Sequence, residues 1–93
     1  MSAAYQRVTA DGVIGVSGAA KIVYGVHMAS GGAAGTVILR NGTSTSDTAV
    51  FNFVGTADDG SYFNLGPGVV FPSGVYYDED ANVSHAVIIY REL

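Results

Sequence analysis

The chain has 93 residues, no cysteine, four basic and eight acidic side chains, and a formal net charge of −4. That length holds one domain with one modest core, and the missing cysteines exclude a disulfide framework and a thiolate metal site. The acidic balance argues against nucleic acid as a partner, which requires a basic patch, and no run approaches the roughly 18 apolar residues of a membrane-spanning helix.

Residues 1–11 are short and mixed, with Tyr5 and Val8 the large apolar groups beyond Met1. They read as an N-terminal arm or weak edge strand, ordered by a neighbour. A basic stretch followed by an apolar one is absent, so no signal peptide is expected. Residues 12–93 read as a single β-sandwich domain. Asp11 and Gly12 signal a turn, and residues 13–16 read as a strand in which Gly15 marks a bulge or a close backbone approach. Residues 21–28 and 36–39 are two β-rich runs around a loop of small residues from Ser30 to Gly35. Strict alternation puts Ile22, Tyr24, Val26 and Met28 on one side and Lys21, Val23, Gly25 and His27 on the other. The glycines of the loop permit the φ > 0 that a reversal uses, and the stretch predicts a long antiparallel hairpin.

Asn41 and Gly42 begin a polar reversal that runs to Asp47. Residues 48–54 form the next strand, with Phe51 and Phe53 sharing the side of Ala49, and Val50, Asn52 and Val54 opposite. A turn at residues 56–60 follows. Residues 61–65 read as a short strand closed by Gly66-Pro67-Gly68. Residues 69–71 and 75–77 are two further apolar runs separated by Pro72-Ser73-Gly74, and residues 78–80 make an acidic bend. In the last run, residues 83–91, Val83, His85, Val87 and Ile89 alternate with Ser84, Ala86, Ile88 and Tyr90. Its second half is apolar on both sides, as in a strand covered twice. Valine, threonine and aromatic residues are abundant, good helix formers are sparse, and glycine recurs every few residues. Seven to eight short strands with reversals between them predict an all-β fold, a small antiparallel β-sandwich of jelly-roll type, with an ordinary Greek-key sandwich as the alternative.

No residue set demands catalysis. His27 and His85 are the two histidines, and their spacing does not create a zinc site without a third ligand such as Asp78 or Glu79. Asp78, Glu79, Asp80 and Asn82 carry enough oxygen for calcium but lack the spacing and glycine of an EF-hand loop, and read as a solvated turn. Asp58 and Asp59 before Gly60 are turn chemistry. Eight carboxylates would supply a glycosidase pair only by chance, and no Gly-x-Ser-x-Gly elbow is present. The run from Gly31 to Gly35 is not a phosphate loop, because no Gly-Lys-Ser/Thr follows. Asn41-Gly-Thr43 and Asn82-Val-Ser84 match the glycosylation pattern incidentally. Tyr24, Tyr62, Tyr76, Tyr77 and Tyr90 suit either a sugar platform or a wet subunit contact. The expectation is no enzyme, no cofactor and no metal.

Charged residues make up 13% of the chain against 48% hydrophobic, about half the usual charged share of roughly 25%. Too little charge is present to cover the surface of so small a domain, which predicts a subunit that hides apolar surface against other chains. The expected contacts are Val87, Ile88, Ile89 and Tyr90, supplying core and subunit contact, and Tyr5, Gln6, Arg7 and Val8, the arm.

The segments Tyr24-Gly-Val-His-Met28, Ser30-Gly-Gly-Ala-Ala-Gly35, Val37-Ile-Leu-Arg-Asn-Gly-Thr43 and Val70-Phe-Pro-Ser-Gly-Val-Tyr76 resemble small virion proteins of tailed bacteriophages, notably those of cyanobacteria and other aquatic bacteria. The resemblance runs from about Gly15 to the C-terminus and rests on turn and strand patterns. It implies a capsid decoration (cement) protein on the virion surface. Such proteins commonly sit as homotrimers at three-fold positions and clamp neighbouring major capsid subunits. On that reading the residue 5–8 arm lies on the capsid. The alternatives are a tail or head-fibre module that binds host glycans through loop tyrosines, and a tail or adaptor subunit.

Overall fold

A computed structural model describes residues 3–93; among them are eight β-strands and no helix. The strands are β1 (Ala4–Val8), β2 (Gly12–Ile14), β3 (Lys21–Ser30), β4 (Thr36–Asn41), β5 (Thr48–Val54), β6 (Gly60–Phe71), β7 (Val75–Glu79) and β8 (Val83–Glu92). They form two four-stranded antiparallel sheets, ordered β1-β8-β3-β6 and β2-β7-β4-β5. This is a small all-β sandwich with the strand order of a jelly roll. Only the β4–β5 connection stays within one sheet; every other connection crosses between the two.

The predicted hairpin over residues 21–39 is therefore not a hairpin. β3 pairs with β6 and β8, whereas β4 pairs with β5 and β7. Both strands carry an apolar side, and each covers the other across the sandwich instead of beside it. The glycine-rich loop spans the roughly 10 Å between sheets. It is anchored by the Gly35 amide donating to Ser30 Oγ at 3.0 Å and by the Gly31 amide donating to Asn82 O at 2.8 Å.

Strict alternation also fails within β3. Val23 pairs with Val69 and Gly25 with Asn64, so Tyr24 on one side and residues 65–68 on the other form an irregular step. The step moves the inward phase by one residue: Lys21 and Val23 before it, and Val26 and Met28 after it, are all buried. Gly66-Pro67-Gly68 does not close a strand either, since β6 runs through it. Gly66 and Gly68 sit at φ of 63° and 106°, a conformation that costs glycine little. Pro67 is tolerated because β6 is an edge strand and no ladder donor is lost there. β2 ends at Ile14, before Gly15 at φ 63°, and Val16 is exposed.

The core lies between the sheets and is built from Ile14, Val37, Leu39, Val75 and Tyr77 on one side and Val23, Val26, Met28, Ala86 and Ile88 on the other. Phe53 and Phe63 stack across the β5/β6 edge with centroids 4.6 Å apart, and Phe51 extends the row to Phe53 at 5.4 Å. One end of the core holds a fully buried lysine. Lys21 Nζ donates to Ala19 O at 2.6 Å and to Val16 O at 2.9 Å and lies 3.3 Å from Glu92 Oε1. Glu92 Oε2 accepts from the Val16 amide at 2.9 Å. The pair ties the β2–β3 connection to the last strand.

Candidate interface

The outer side of the β1-β8-β3-β6 sheet is the candidate site. Part of the predicted arm, Met1 and Ser2, lies outside the described residues. The rest is an edge strand rather than a free arm, with Tyr5 opposite Ile89 and Arg7 opposite Val87. Pairing fixes the alternation of β1. Gln6 turns toward β2, donating to Val13 O at 3.4 Å and accepting from the Gly15 amide at 2.8 Å. Val8 packs against the core. Tyr5 and Arg7 are exposed on the other side.

The same alternation divides the predicted contact residues of β8. Ile88 is fully buried and Tyr90 packs on the core, whereas Val87 and Ile89 stand outward and half-buried beside Tyr5. Ala3, Ala4, Tyr5, Val87 and Ile89 line a shallow apolar groove of about 460 Å³. Tyr5 is 75% exposed, an unusual position for a large ring on a strand with no cover. Of the eight predicted contact residues, four reach this surface: Tyr5, Arg7, Val87 and Ile89.

Tyr62, His27 and His85 extend the surface beyond the eight expected contact residues. The register aligns Arg7, Val87, His27 and Tyr62 in one row, and Tyr5, Ile89, Gly25 and Asn64 in the next. Tyr62 is half exposed and its ring lies directly over Gly25, where a side chain would collide with it. His27 and His85 are neighbours on this side, with ring centroids 6.3 Å apart. Knowing that β6 lies beside β3 is what brings Tyr62 into view, and strand periodicity does not carry that information.

The remaining candidates lie elsewhere. Asp78 pairs with Arg40, whose Nη2 and Nε lie at 3.1 and 3.3 Å. Glu79 accepts from the Tyr77 hydroxyl at 2.9 Å, and Asp80 Oδ1 accepts from the Asn82 amide at 3.0 Å. Among the described residues no group of three or more His, Asp or Glu side chains is placed to hold a metal ion. The five tyrosines do not form one platform: Tyr77 is in the core, Tyr90 packs against it, and Tyr62 and Tyr76 belong to opposite sheets.

The face thus offers an aromatic and aliphatic centre with an arginine beside it, and chemically it can do one thing well, which is to bury apolar surface against another protein. No protein-family model matches the chain, and neither a curated protein nor a solved structure matches it at a significant level.

Proposed function

We propose that the chain is a non-enzymatic structural subunit that assembles with copies of itself through the outer face of the β1-β8-β3-β6 sheet, and that its place is on the capsid of a tailed bacteriophage as a decoration protein. One observation carries the assembly: Tyr5, Val87 and Ile89 form an uncovered apolar groove on the side of β8 that faces away from the core. The phage capsid assignment rests on the sequence resemblance. A two-sheet jelly roll suits it, being an architecture that recurs in viral capsid and lectin domains, although a fold alone does not assign a function.

The physics of the role is linkage. A subunit that binds only the assembled lattice stabilises it in proportion to occupancy, without moving parts or chemistry. Burying the groove in a closed oligomer removes the exposed Tyr5 ring from water, and the roughly 25 cal/mol per Å² of apolar area gained is set against the freedom lost on association.

The test has two stages. Sedimentation velocity should give an oligomer at micromolar concentration, reduced to monomer by Val87→Asp or Ile89→Asp with the β-sheet circular dichroism intact. The oligomer should then cosediment with mature heads of the phage whose genome carries the chain. A monomer that leaves those heads unoccupied ends the proposal.

A further inference from the structure

His27 and His85 are the two histidines of the chain. They lie far apart in sequence, and the fold sets them side by side. His27 is opposite Val87 and His85 opposite Ala29, which makes them diagonal neighbours on β3 and β8, with ring centroids 6.3 Å apart. Val26, Met28, Ala86 and Ile88, next to them along the strands, are buried, so both rings stand on the outer side, each half-buried. β3 and β8 are the two inner strands of their sheet. Their backbones are held along both edges, and only the side chains are left to adjust.

Imidazole is a good ligand for zinc, nickel and copper ions, and either ring nitrogen can serve. Two imidazoles on one tetrahedral ion, at nitrogen–metal distances of about 2 Å, have centroids roughly 5 Å apart. The pair at 6.3 Å therefore has to close by about 1 Å, a small rotation for two half-exposed side chains. On the β6 side His27 Nε2 lies over Gly60, where an added Cβ would be 3.2 Å away. Gly60 contributes no side chain to hold the ring there.

Two ligands do not complete such a site, and one copy has no third to offer. Among the described residues no three His, Asp or Glu side chains come together, and no carboxylate stands outward in the rows that cross this side of the sheet. Building on the proposed self-assembly, we infer that His27 and His85 are half of a late transition-metal site, completed by the same two residues of a second copy packed face to face across a two-fold axis. A two-fold contact sets one patch against itself, so two imidazoles become four, the number a tetrahedral ion takes. The pair adjoins the apolar groove, because Val87, which lines the groove, lies opposite His27. One contact thus buries the groove and closes the site. Arg7 shares the His27 row but sits exposed on the edge strand β1, at the rim, where water and salt screen it from the ion.

Zinc is the probe. The full chain without an affinity tag is stripped with EDTA, dialysed, and compared with and without zinc chloride by sedimentation velocity and calorimetric titration. Zinc should bind at one ion per two chains and tighten association roughly tenfold or more, since a ligand held only by the assembled form stabilises it by mass action. Magnesium, which prefers oxygen ligands, should do neither. Cobalt(II) in place of zinc should give the strong visible absorption of a tetrahedral site. His27→Gln and His85→Gln should each abolish the zinc effect while circular dichroism shows the fold unchanged. Zinc that fails to bind, or that binds without changing association, overturns the shared site; if the stripped chain still assembles and Val87→Asp is monomeric, self-assembly through the face stands. A zinc effect that survives in both histidine variants overturns the site as well. A chain that is monomeric with and without zinc overturns both readings.

Discussion

Replacing Glu92 by glutamine should be among the most damaging single changes outside the hydrophobic core. Lys21 has no solvent exposure, and its ammonium faces two carbonyls and one carboxylate, with Glu92 Oε1 at 3.3 Å the only opposite charge within ion-pair distance among the described residues. Glutamine keeps an oxygen able to accept from the Val16 amide, which donates to Glu92 Oε2 at 2.9 Å, so the change isolates the charge. Breaking a buried pair by removing one partner costs about 3–5 kcal/mol. The Glu92 side chain is 21% exposed, so water can reach the vacated charge, and the lower end, about 3 kcal/mol, is expected. Against a total stability of roughly 5–15 kcal/mol this is large, and for a domain of this size it lowers the melting temperature by roughly 12–24 °C. Urea unfolding followed by circular dichroism measures it. Lys21→Met combined with Glu92→Leu should recover part of the loss, since an apolar pair of similar volume replaces a desolvated ion pair at little cost, while the Val16 amide and the Val16 and Ala19 carbonyls are left without their side-chain partners. A loss below about 1 kcal/mol in the single variant would refute the reasoning, because it would mean that the lysine finds solvent without its partner.

Two further outcomes follow from local geometry. Gly74 has φ 99°, and an added Cβ would lie 3.1 Å from the backbone nitrogen of Gly18, so Gly74→Ala should cost about 1–3 kcal/mol in urea unfolding, while Gly12→Ala, with nothing within 4 Å, should be close to neutral. Glu79→Gln should stabilise the protein at neutral pH: the folded-state carboxyl is raised above its unfolded value by desolvation and by Asp11 and Asp80, so its contribution is present below the unfolded value and is lost as pH rises through the folded one. Melting curves should show the gain at pH 7 and its disappearance near about pH 3, where both states are protonated.

The all-β class was legible because glycine, valine and aromatic residues recur at short intervals with turn residues between them. Strand phase was legible where the ladder is regular. Val87 and Ile89 fall outward and Ile88 and Tyr90 inward as period two requires, which is why half of the expected contact residues reach the surface and half do not. Periodicity failed at the irregular steps. Tyr24 absorbs one residue against four on β6, and no local rule at Tyr24 or Gly66-Pro67-Gly68 says that a strand continues through a change of phase. Sheet membership was illegible for a different reason. Residues 21–39 contain everything a hairpin needs, and a loop able to reverse the chain within a sheet can equally carry it across to the other one. What decides is the rest of the chain: β6 and β8 occupy both sides of β3, so β4 has no free edge beside it.

The shortage of charge in the sequence has a location. β8 lies between β1 and β3, so both of its edges are paired and its outward residues cannot escape by fraying. An ordinary solvated sheet would carry lysine, glutamate or threonine at such positions. Here the outward positions nearest the centre of β8 are Val87 and Ile89, flanked by Tyr5 on β1 and by Gly25 and His27 on β3. Lys21 and Arg40 are committed to ion pairs, and among the described residues no carboxylate stands outward in the rows that cross this side of the sheet. The apolar character is concentrated where the strands are most firmly held, and a rigid sheet is the support on which a contact loses least conformational entropy when it forms. That coincidence, more than the composition, is the physical case for reading the face as a binding surface.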